Sequence, residues 1–257
     1  MNTLRTVLLQ SALDWHDPAA NRARFDALIA ETAPCDLLVL PEMFATGFTM
    51  SPELVAESMD GPSVSWMQGV AREREAAVCG SLAMRDGNGY VNRFVFAHPD
   101  GHLDTYDKRH LFALAGEHRA YQSGDQRSVF HFRGWRIAPQ VCYDLRFPVW
   151  HRHAEGCDLM IFVANWPAPR INAWRVLLQA RAIENQCFVV GVNRVGRDEN
   201  DRRYPGASVA HGPDGEALLA AGDTTGALPV VLDRAVMTAF RERLPFYKDA
   251  DRFEIDT

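Results

Sequence analysis

Four side chains with the chemistry of a covalent hydrolase are spread along the sequence. Cys142 and Glu42 each follow an apolar run. Lys108 and Glu117 lie in a charged segment between them. A thiol can attack a carbon atom, a carboxylate can accept the proton of that thiol, and an ammonium can neutralise an oxygen that becomes negative. These residue types therefore fit nucleophilic catalysis in which side chains supply every reacting group.

Each of the four positions also has an ordinary explanation when it is taken alone. Glu42 and Lys108 could be solvated surface charges, Glu117 a salt-bridge partner and Cys142 a small buried apolar side chain. The positions of Glu42 and Cys142 after apolar runs favour a functional site, because α/β folds place ligand-facing groups at the carboxyl ends of strands. We expect a buried Glu42 that titrates high, and a Cys142 thiol whose pKa is lowered by a helix N-terminus.

Several other catalytic motifs are absent from the sequence. It contains no Gly-x-Gly-x-x-Gly or Walker-type loop, no His-Glu-x-x-His, no Cys-x-x-Cys and no Gly-x-Ser-x-Gly. Dinucleotide, P-loop, zinc-protease and serine-hydrolase chemistry therefore lose support. No metal or cofactor is expected. A cysteine–histidine hydrolase that uses His110 or His118 as its base stays open as an alternative.

The elements that position these residues alternate between strand and helix patterns, which indicates an α/β fold. The first half predicts strands at 4–11, 36–41, 77–84, 90–97 and 102–106, and helices at 18–32 and 63–76. The second half predicts strands on both sides of Gly134 within 128–141, then strands at 158–164, 187–193, 206–211 and 216–220, with a helix at 171–185.

Two pairs of segments suggest an internal duplication. Cys35-Asp-Leu-Leu-Val-Leu40 is similar to Cys157-Asp-Leu-Met-Ile-Phe162, and Ala97-His-Pro-Asp-Gly101 is similar to Ala210-His-Gly-Pro-Asp-Gly215. Two α/β halves can stack sheet on sheet with their helices outside. We therefore predict a four-layer α-β-β-α sandwich of two mixed β-sheets with an internal pseudo-duplication, in a single domain over residues 1–257.

Composition limits the possible partners and compartments. Of the 257 residues, 47% are hydrophobic and 23% are charged, as in ordinary globular domains. The formal net charge of −6, without a basic cluster, argues against nucleic acid, and no apolar run is long enough to span a membrane. Five cysteines in apolar segments fit reduced thiols, and no signal peptide is recognisable. We expect a cytoplasmic protein.

Three segments together resemble the signature segments of the nitrilase, or carbon–nitrogen hydrolase, superfamily. They are Val39-Leu-Pro-Glu-Met-Phe44, Lys108-Arg-His-Leu-Phe112 and Val141-Cys-Tyr-Asp-Leu-Arg-Phe147. Two further segments resemble its ω-amidase branch, namely Val163-Ala-Asn-Trp-Pro-Ala-Pro-Arg170 and Gln179-Ala-Arg-Ala-Ile-Glu-Asn-Gln186. The resemblance covers nearly the whole chain, and the α-β-β-α sandwich of that superfamily agrees with the duplication.

The resemblance implies a role for each of the four residues. Cys142 is the nucleophile, Glu42 the general base, Lys108 the cation that stabilises the oxyanion, and Glu117 a second glutamate that supports the site. A thiol–amide reaction of this kind passes through a cysteinyl thioester and releases ammonia. The backbone amide of Tyr143 is expected to be a second oxyanion donor.

The ω-amidase resemblance also implies a substrate, the terminal amide of a small dicarboxylic acid monoamide such as α-ketoglutaramate or α-ketosuccinamate. Arg170 is our candidate for binding the distal carboxylate, because a guanidinium can form two parallel hydrogen bonds to it. A solvated loop cation is an equally good interpretation of Arg170. Tyr143, Phe44 and Trp166 are expected to form the pocket wall.

The sequence leaves the substrate, the catalytic competence and the dimer interface open. The same triad could act on N-carbamoyl compounds, aliphatic amides or nitriles, since it contacts the carbonyl and not its substituent. The protein could instead be a catalytically idle scaffold that binds a metabolite. A homodimer is expected from the family, and aromatic and apolar side chains near the C-terminus are candidates for its interface or for covering their own domain. They are Phe240, Leu244, Phe246, Tyr247 and Phe253.

Overall fold

Two six-stranded mixed β-sheets dominate the computed structural model, which describes residues 2–152, 156–251 and 253–256. In chain order the strands are β1 (Thr3–Gln10), β2 (Leu37–Val39), β3 (Ala77–Asp86), β4 (Gly89–Ala97), β5 (Leu103–Asp107), β6 (Phe130–Phe132), β7 (Trp135–Val141), β8 (Leu159–Ala164), β9 (Phe188–Asn193), β10 (Val195–Arg197), β11 (Arg203–Pro205), β12 (Val209–His211), β13 (Ala217–Ala220) and β14 (Gly226–Asp233). The α-helices are α1 (Pro18–Ala30), α2 (Pro62–Arg74), α3 (Glu117–Ala120), α4 (Pro148–His151), α5 (Ile171–Asn185) and α6 (Arg234–Arg243).

The two halves of the chain build their sheets in the same way. Sheet 1 has the order β14-β1-β2-β3-β4-β5, and sheet 2 has the order β13-β12-β9-β8-β7-β6. In each, three successive parallel strands are followed by two antiparallel ones, and one further antiparallel strand pairs with the first. The similar turns at 97–101 and 210–215 join β4 to β5 and β12 to β13. The strand order thus agrees with the duplication inferred from sequence.

The sheets pack face to face, and helices cover their outer faces. Leu8 and Phe96 of sheet 1 belong to the same buried cluster as Trp135 of sheet 2. On the other side of sheet 1, α1 and α2 contribute Phe25 and Met67 to a second cluster. Helix α5 packs on sheet 2 through contacts with β9 and β12. The predicted four-layer α-β-β-α sandwich is therefore confirmed.

Local sequence signals explain where several elements begin. Helix α1 starts at Pro18 because the Asp17 carboxylate accepts a hydrogen bond from Ala20 N at 2.9 Å, as predicted for an N-cap. The strand predicted at 206–211 starts only at Val209, because Gly206 and Ala207 have positive φ angles of 62° and 58°. An extended strand cannot include such residues.

Two C-terminal elements, β14 and α6, were not predicted from the sequence. Strand β14 is the edge strand of sheet 1 beside β1, and Pro229 within it is compatible with an edge position. Helix α6 lies near the amino ends of β8 and β9, where Arg241 donates to the carbonyl oxygens of Cys157 and Gln186. Among the described residues, no helix combines the length and the apolar character needed to cross a bilayer.

Gly191 in β9 marks the close approach of α5 to sheet 2, and it yields a stability prediction. A Cβ at this position would lie 2.5 Å from Leu178 Cδ1 and 2.9 Å from Trp174 Cζ2. We expect Gly191→Ala to lower the free energy of unfolding by about 1–3 kcal/mol, as overpacked cores do. Chemical denaturation followed by tryptophan fluorescence measures this change.

Gly69 in α2 is the matched control, since a Cβ there meets no atom within 4 Å. Gly69→Ala is expected to leave stability unchanged or to raise it by up to about 1 kcal/mol, because alanine favours the helix. Equal effects of the two substitutions would contradict the close packing of α5 on β9.

Candidate active site

The Cys142 thiol lies at a sharp turn between β7 and a short 3₁₀ helix at Cys142–Arg146. Its φ angle of 47° is in the left-handed region, which is uncommon for a residue with a Cβ. The buried Asp144 carboxylate holds this turn, because its Oδ2 accepts hydrogen bonds from Val141 N at 3.0 Å and from Tyr106 Oη at 2.9 Å. The strained backbone at Cys142 is therefore fixed by its surroundings, as is common at functional sites.

The histidines considered as alternative bases lie elsewhere. His110 Nδ1 is 2.8 Å from the other oxygen of Asp144, and its ring stacks on Phe147 with 3.8 Å between centroids. His118 is exposed on α3. Neither ring lines the cavity beside Cys142. The geometry gives the cysteine–histidine alternative no support.

Lys108 is completely buried directly after β5, between two carboxylates. Its Nζ donates to Glu42 Oε1 at 3.0 Å and to both oxygens of Glu117 at 2.8 Å. Glu42 follows the end of β2, and Glu117 begins α3, where its Oε2 also accepts a 2.5 Å hydrogen bond from Phe112 N. The structure thus brings together the three charged residues predicted from the sequence.

Two asparagines that the sequence analysis did not identify complete the hydrogen bonding of Glu42. Asn92 Nδ2 donates to Glu42 Oε1 at 2.9 Å, and it lies 3.3 Å from Glu117 Oε1. Asn165 N donates to Glu42 Oε2 at 2.8 Å. Asn165 follows β8, and its position at the end of an apolar strand was a usable signal. Asn92 lies inside β4 next to Arg93, where no local signal distinguishes it.

The charges around Cys142 determine which protonation states are favoured. Burial raises the pKa of the Cys142 thiol well above 9.0, and the Glu42 carboxylate raises it further through its charge and a hydrogen bond. This result contradicts the expectation of a lowered thiol pKa, because burial and the carboxylates outweigh Lys108. Burial alone would lower the pKa of Lys108, but Glu117 and Glu42 raise it above its ordinary value. The resting pair is a neutral thiol beside a charged ammonium.

A cavity of about 510 Å³ opens beside Cys142. Its wall includes the predicted Tyr143, Trp166 and Arg170, together with Phe48, Phe112, Asn165, Arg146, Arg197, Arg202 and Arg203. The last three arginines belong to the β10–β11 hairpin, and each has an aspartate within ion-pair distance. Within the part of the chain that the structure describes, no carboxylate lies within ion-pair distance of Arg146 or Arg170. Arg170 instead stacks on Phe112, at 4.9 Å from the ring centroid.

The prediction that Phe44 forms part of the pocket wall is wrong. Its side chain is fully buried on the outer side of sheet 1, where its ring contacts Phe25 and Trp66 at 5.8 and 5.7 Å between centroids. The backbone of Met43 has a φ angle of 44°, so the chain turns sharply between Glu42 and Phe44. The two side chains therefore point to different layers.

Comparison with known proteins identifies the family of this chain. A family model described as carbon-nitrogen hydrolase matches residues 5–242. The chain belongs to this family. Omega-amidase YafV from Yersinia enterocolitica is 46% identical over 256 residues, which cover 98% of this chain and 99% of that protein. The 2-oxoglutaramate amidase of Bacillus subtilis is 34% identical over 249 residues, which cover 94% of this chain and 95% of that protein.

Solved structures of carbon–nitrogen hydrolases share the fold. A protein of this superfamily from Xanthomonas campestris, which carries an arsenic adduct in its active site, has a TM-score of 0.96 and 42% identity, with both chains fully covered. A mutant of the amidase from Nesterenkonia sp. AN1, in which acrylamide has added to the active-site cysteine, has a TM-score of 0.81 and 27% identity, with 95% of this chain and 98% of that chain covered.

Glu42 is expected to accept the thiol proton, but its charge also raises the pKa of that thiol. Removing the charge should therefore have two separable effects. Glu42→Gln is expected to lower kcat/KM by about 10²–10⁴-fold, since the family resemblance implies that Glu42 is the general base. The same change removes a negative charge that raises the Cys142 pKa, so the thiolate should form at lower pH than in the parent protein. The pH dependence of alkylation by iodoacetamide, corrected with Cys142→Ala, measures that shift.

Glu73→Gln is the control for this experiment, because Glu73 is exposed on α2, away from the site. It should change neither amide turnover nor the alkylation profile. An alkylation profile for Glu42→Gln that coincides with the parent profile would contradict the electrostatic coupling of Glu42 to the thiol.

Proposed function

We propose that this carbon–nitrogen hydrolase is an ω-amidase. In this proposal it releases ammonia from the terminal amide of small dicarboxylic acid monoamides, such as α-ketoglutaramate and α-ketosuccinamate, through a cysteinyl thioester. The observation that carries the proposal is the Cys142 thiol, which lies beside the buried Glu42–Lys108 pair and faces a cavity. Two arginines of the cavity wall have no carboxylate partner among the described residues. The relatives named as an omega-amidase and a 2-oxoglutaramate amidase support the same substrate class.

The first half-reaction forms a covalent intermediate. The Cys142 sulfur attacks the amide carbon while its proton passes to Glu42, which the raised thiol pKa makes necessary. The carbonyl oxygen becomes negative, and Lys108 Nζ and the Tyr143 backbone amide are the donors that stabilise it. Glu42 then gives the proton to the nitrogen, the carbon–nitrogen bond breaks, and ammonia leaves a thioester on Cys142.

The second half-reaction reuses the same groups. Glu42 takes a proton from a water molecule, whose oxygen attacks the thioester carbon. The carbon–sulfur bond breaks, the sulfur recovers the proton from Glu42, and the dicarboxylic acid leaves. Glu117 and Asn92 keep Lys108 and Glu42 in place through both steps by the hydrogen bonds described above. These two half-reactions need no cofactor.

The arginines near the cavity favour a substrate with a second negative group. A simple aliphatic amide or nitrile has no charge to offer them, whereas an N-carbamoyl amino acid also carries a carboxylate. These substrates remain the second enzymatic possibility, because the triad contacts only the reacting carbon and its substituents. A catalytically idle scaffold is disfavoured by the buried ion pair, which is costly to maintain without a purpose.

We also propose a cytoplasmic homodimer. All five cysteines are free thiols, which fits a reducing compartment. Of the C-terminal residues suggested for an interface, Phe246, Tyr247 and Phe253 are exposed, whereas Phe240 and Leu244 are half-buried. Aromatic side chains are enriched at association surfaces. Sedimentation of the purified protein tests the dimer.

The proposed activity is tested by ammonia release. We expect turnover of α-ketoglutaramate well above that of an N-carbamoyl amino acid or a nitrile, with succinamate as the monoamide that lacks the keto group. We expect no turnover in Cys142→Ala, which lacks the nucleophile. A folded parent protein without activity on the keto-amide, or a Cys142→Ala variant that keeps it, would overturn the proposal.

Arg170 is the proposed partner of the distal carboxylate. We expect Arg170→Met to raise KM for α-ketoglutaramate by about 10-fold or more, because a charge-assisted hydrogen bond is lost, and to leave the turnover of an uncharged amide unchanged. Steady-state kinetics on both substrates measure this split. Arg175→Met on the exposed side of α5 is the control. If Arg146→Met shows the charge-specific loss and Arg170→Met does not, the carboxylate contacts Arg146 instead.

A further inference from the structure

A second group of polar side chains lies at the turn between β4 and β5. His98 directly follows β4, His102 directly precedes β5, and Asp104 is the second residue of β5. One ligand atom from each of the three lies within 4.8 Å of the others. We refer to these three residues as the hairpin cluster. The proposed amidase chemistry makes no use of them.

The register of the hairpin places all three side chains on one face. His98 N donates to His102 O at 2.9 Å, and Asp104 lies opposite Phe96 in the ladder. Residues two apart on a strand share a face, so the three cluster side chains project together. Nε2 of His98 is 2.8 Å from Asp104 Oδ2, and Nε2 of His102 is 3.2 Å from Asp104 Oδ1. Both imidazoles thus turn the same nitrogen toward one carboxylate.

Packing fixes one part of the cluster and leaves another open. The His98 side chain is 10% exposed, and its ring lies against Phe96 and Phe132 at 4.8 and 5.7 Å between centroids. The His102 side chain is 63% exposed. One imidazole is therefore held rigidly at the edge of the space between the sheets, while the other can adjust its position and leaves a side open to water.

We propose that the hairpin cluster binds a divalent transition-metal ion, with Zn²⁺ as the best match. Two imidazole nitrogens and one carboxylate oxygen are ligands that Zn²⁺ prefers, at about 2.0–2.2 Å, and water can complete the coordination. Each Nε2 must be unprotonated to bind the ion, so any proton on it moves to Nδ1 or to solvent. The Asp104 carboxylate supplies negative charge, and a shift of the exposed His102 ring closes the remaining distances.

The position of the cluster argues for a structural role. Asp104 and Lys108 lie at opposite ends of β5, about 13 Å apart along the strand. A bound ion would tie the β4–β5 turn together where it meets Phe132 of sheet 2. The equivalent turn of the second half contains His211, but its cross-strand neighbour is Ala217 and its Nδ1 lies 3.0 Å from Gly215 O. The cluster is thus particular to the first half of the duplication.

Titration of the full-length Cys142→Ala protein with ZnCl₂ tests the proposal without interference from the reactive thiol. We expect one Zn²⁺ per chain by calorimetry, and a visible spectrum of low-symmetry coordination when Co²⁺ replaces it. His102→Ala and Asp104→Asn should each weaken Zn²⁺ binding by about 10-fold or more. His131→Ala, which removes an exposed ring from β6 on the neighbouring sheet edge, should leave it unchanged.

The outcomes separate clearly. Absence of saturable Zn²⁺ binding, or binding that persists in the His102→Ala/Asp104→Asn double variant, overturns the proposal. His102 is exposed, so its loss does not disturb the core, and equal thermal midpoints of the metal-free variants check that each is folded. Ammonia release by His102→Ala with Cys142 intact should equal that of the parent protein, so this test is independent of the proposed amidase activity.

Discussion

The buried ammonium of Lys108 between Glu42 and Glu117 is the interaction on which the site depends. Removing three charged groups from water is costly, and the pair attraction compensates only when the remaining hydrogen bonds are satisfied. Asn92, Asn165 and the backbone amide of Phe112 supply those bonds. Burial of Cys142 and the nearby Glu42 and Glu117 side chains raise the pKa of the thiol, so the site disfavours a resting thiolate.

The packing of the two sheets sets the distances between the reacting groups. Glu42 and Lys108 follow strands of sheet 1, whereas Cys142 and Asn165 follow strands of sheet 2. The hydrogen bonds from Asn165 to Glu42 therefore cross from one sheet to the other at the carboxyl ends of their parallel strands. The apolar layer between the sheets, rather than any local loop, holds Glu42 close to Cys142.

Much of this arrangement could be predicted because the key signals are local. Runs of apolar residues predicted most strands, and their ends made Glu42 and Cys142 candidates, whose roles the family resemblance then implied. Phe44 was misassigned because sequence proximity to Glu42 does not reveal the turn at Met43. The thiol pKa was misjudged because burial and two carboxylates from distant segments outweigh the local helix. Asn92 and strand β14 depend on tertiary pairing that no short pattern encodes.

The pairing of β14 with β1 has a consequence for how the chain acquires its structure. Thr3 lies opposite Asp233, so the outer edge of β1 stays unpaired until the distant strand β14 has been made. Contacts of such high sequence separation form slowly. During synthesis on the ribosome the edge of β1 stays open to pairing with other chains, which favours aggregation. This exposure ends when β14 pairs with β1.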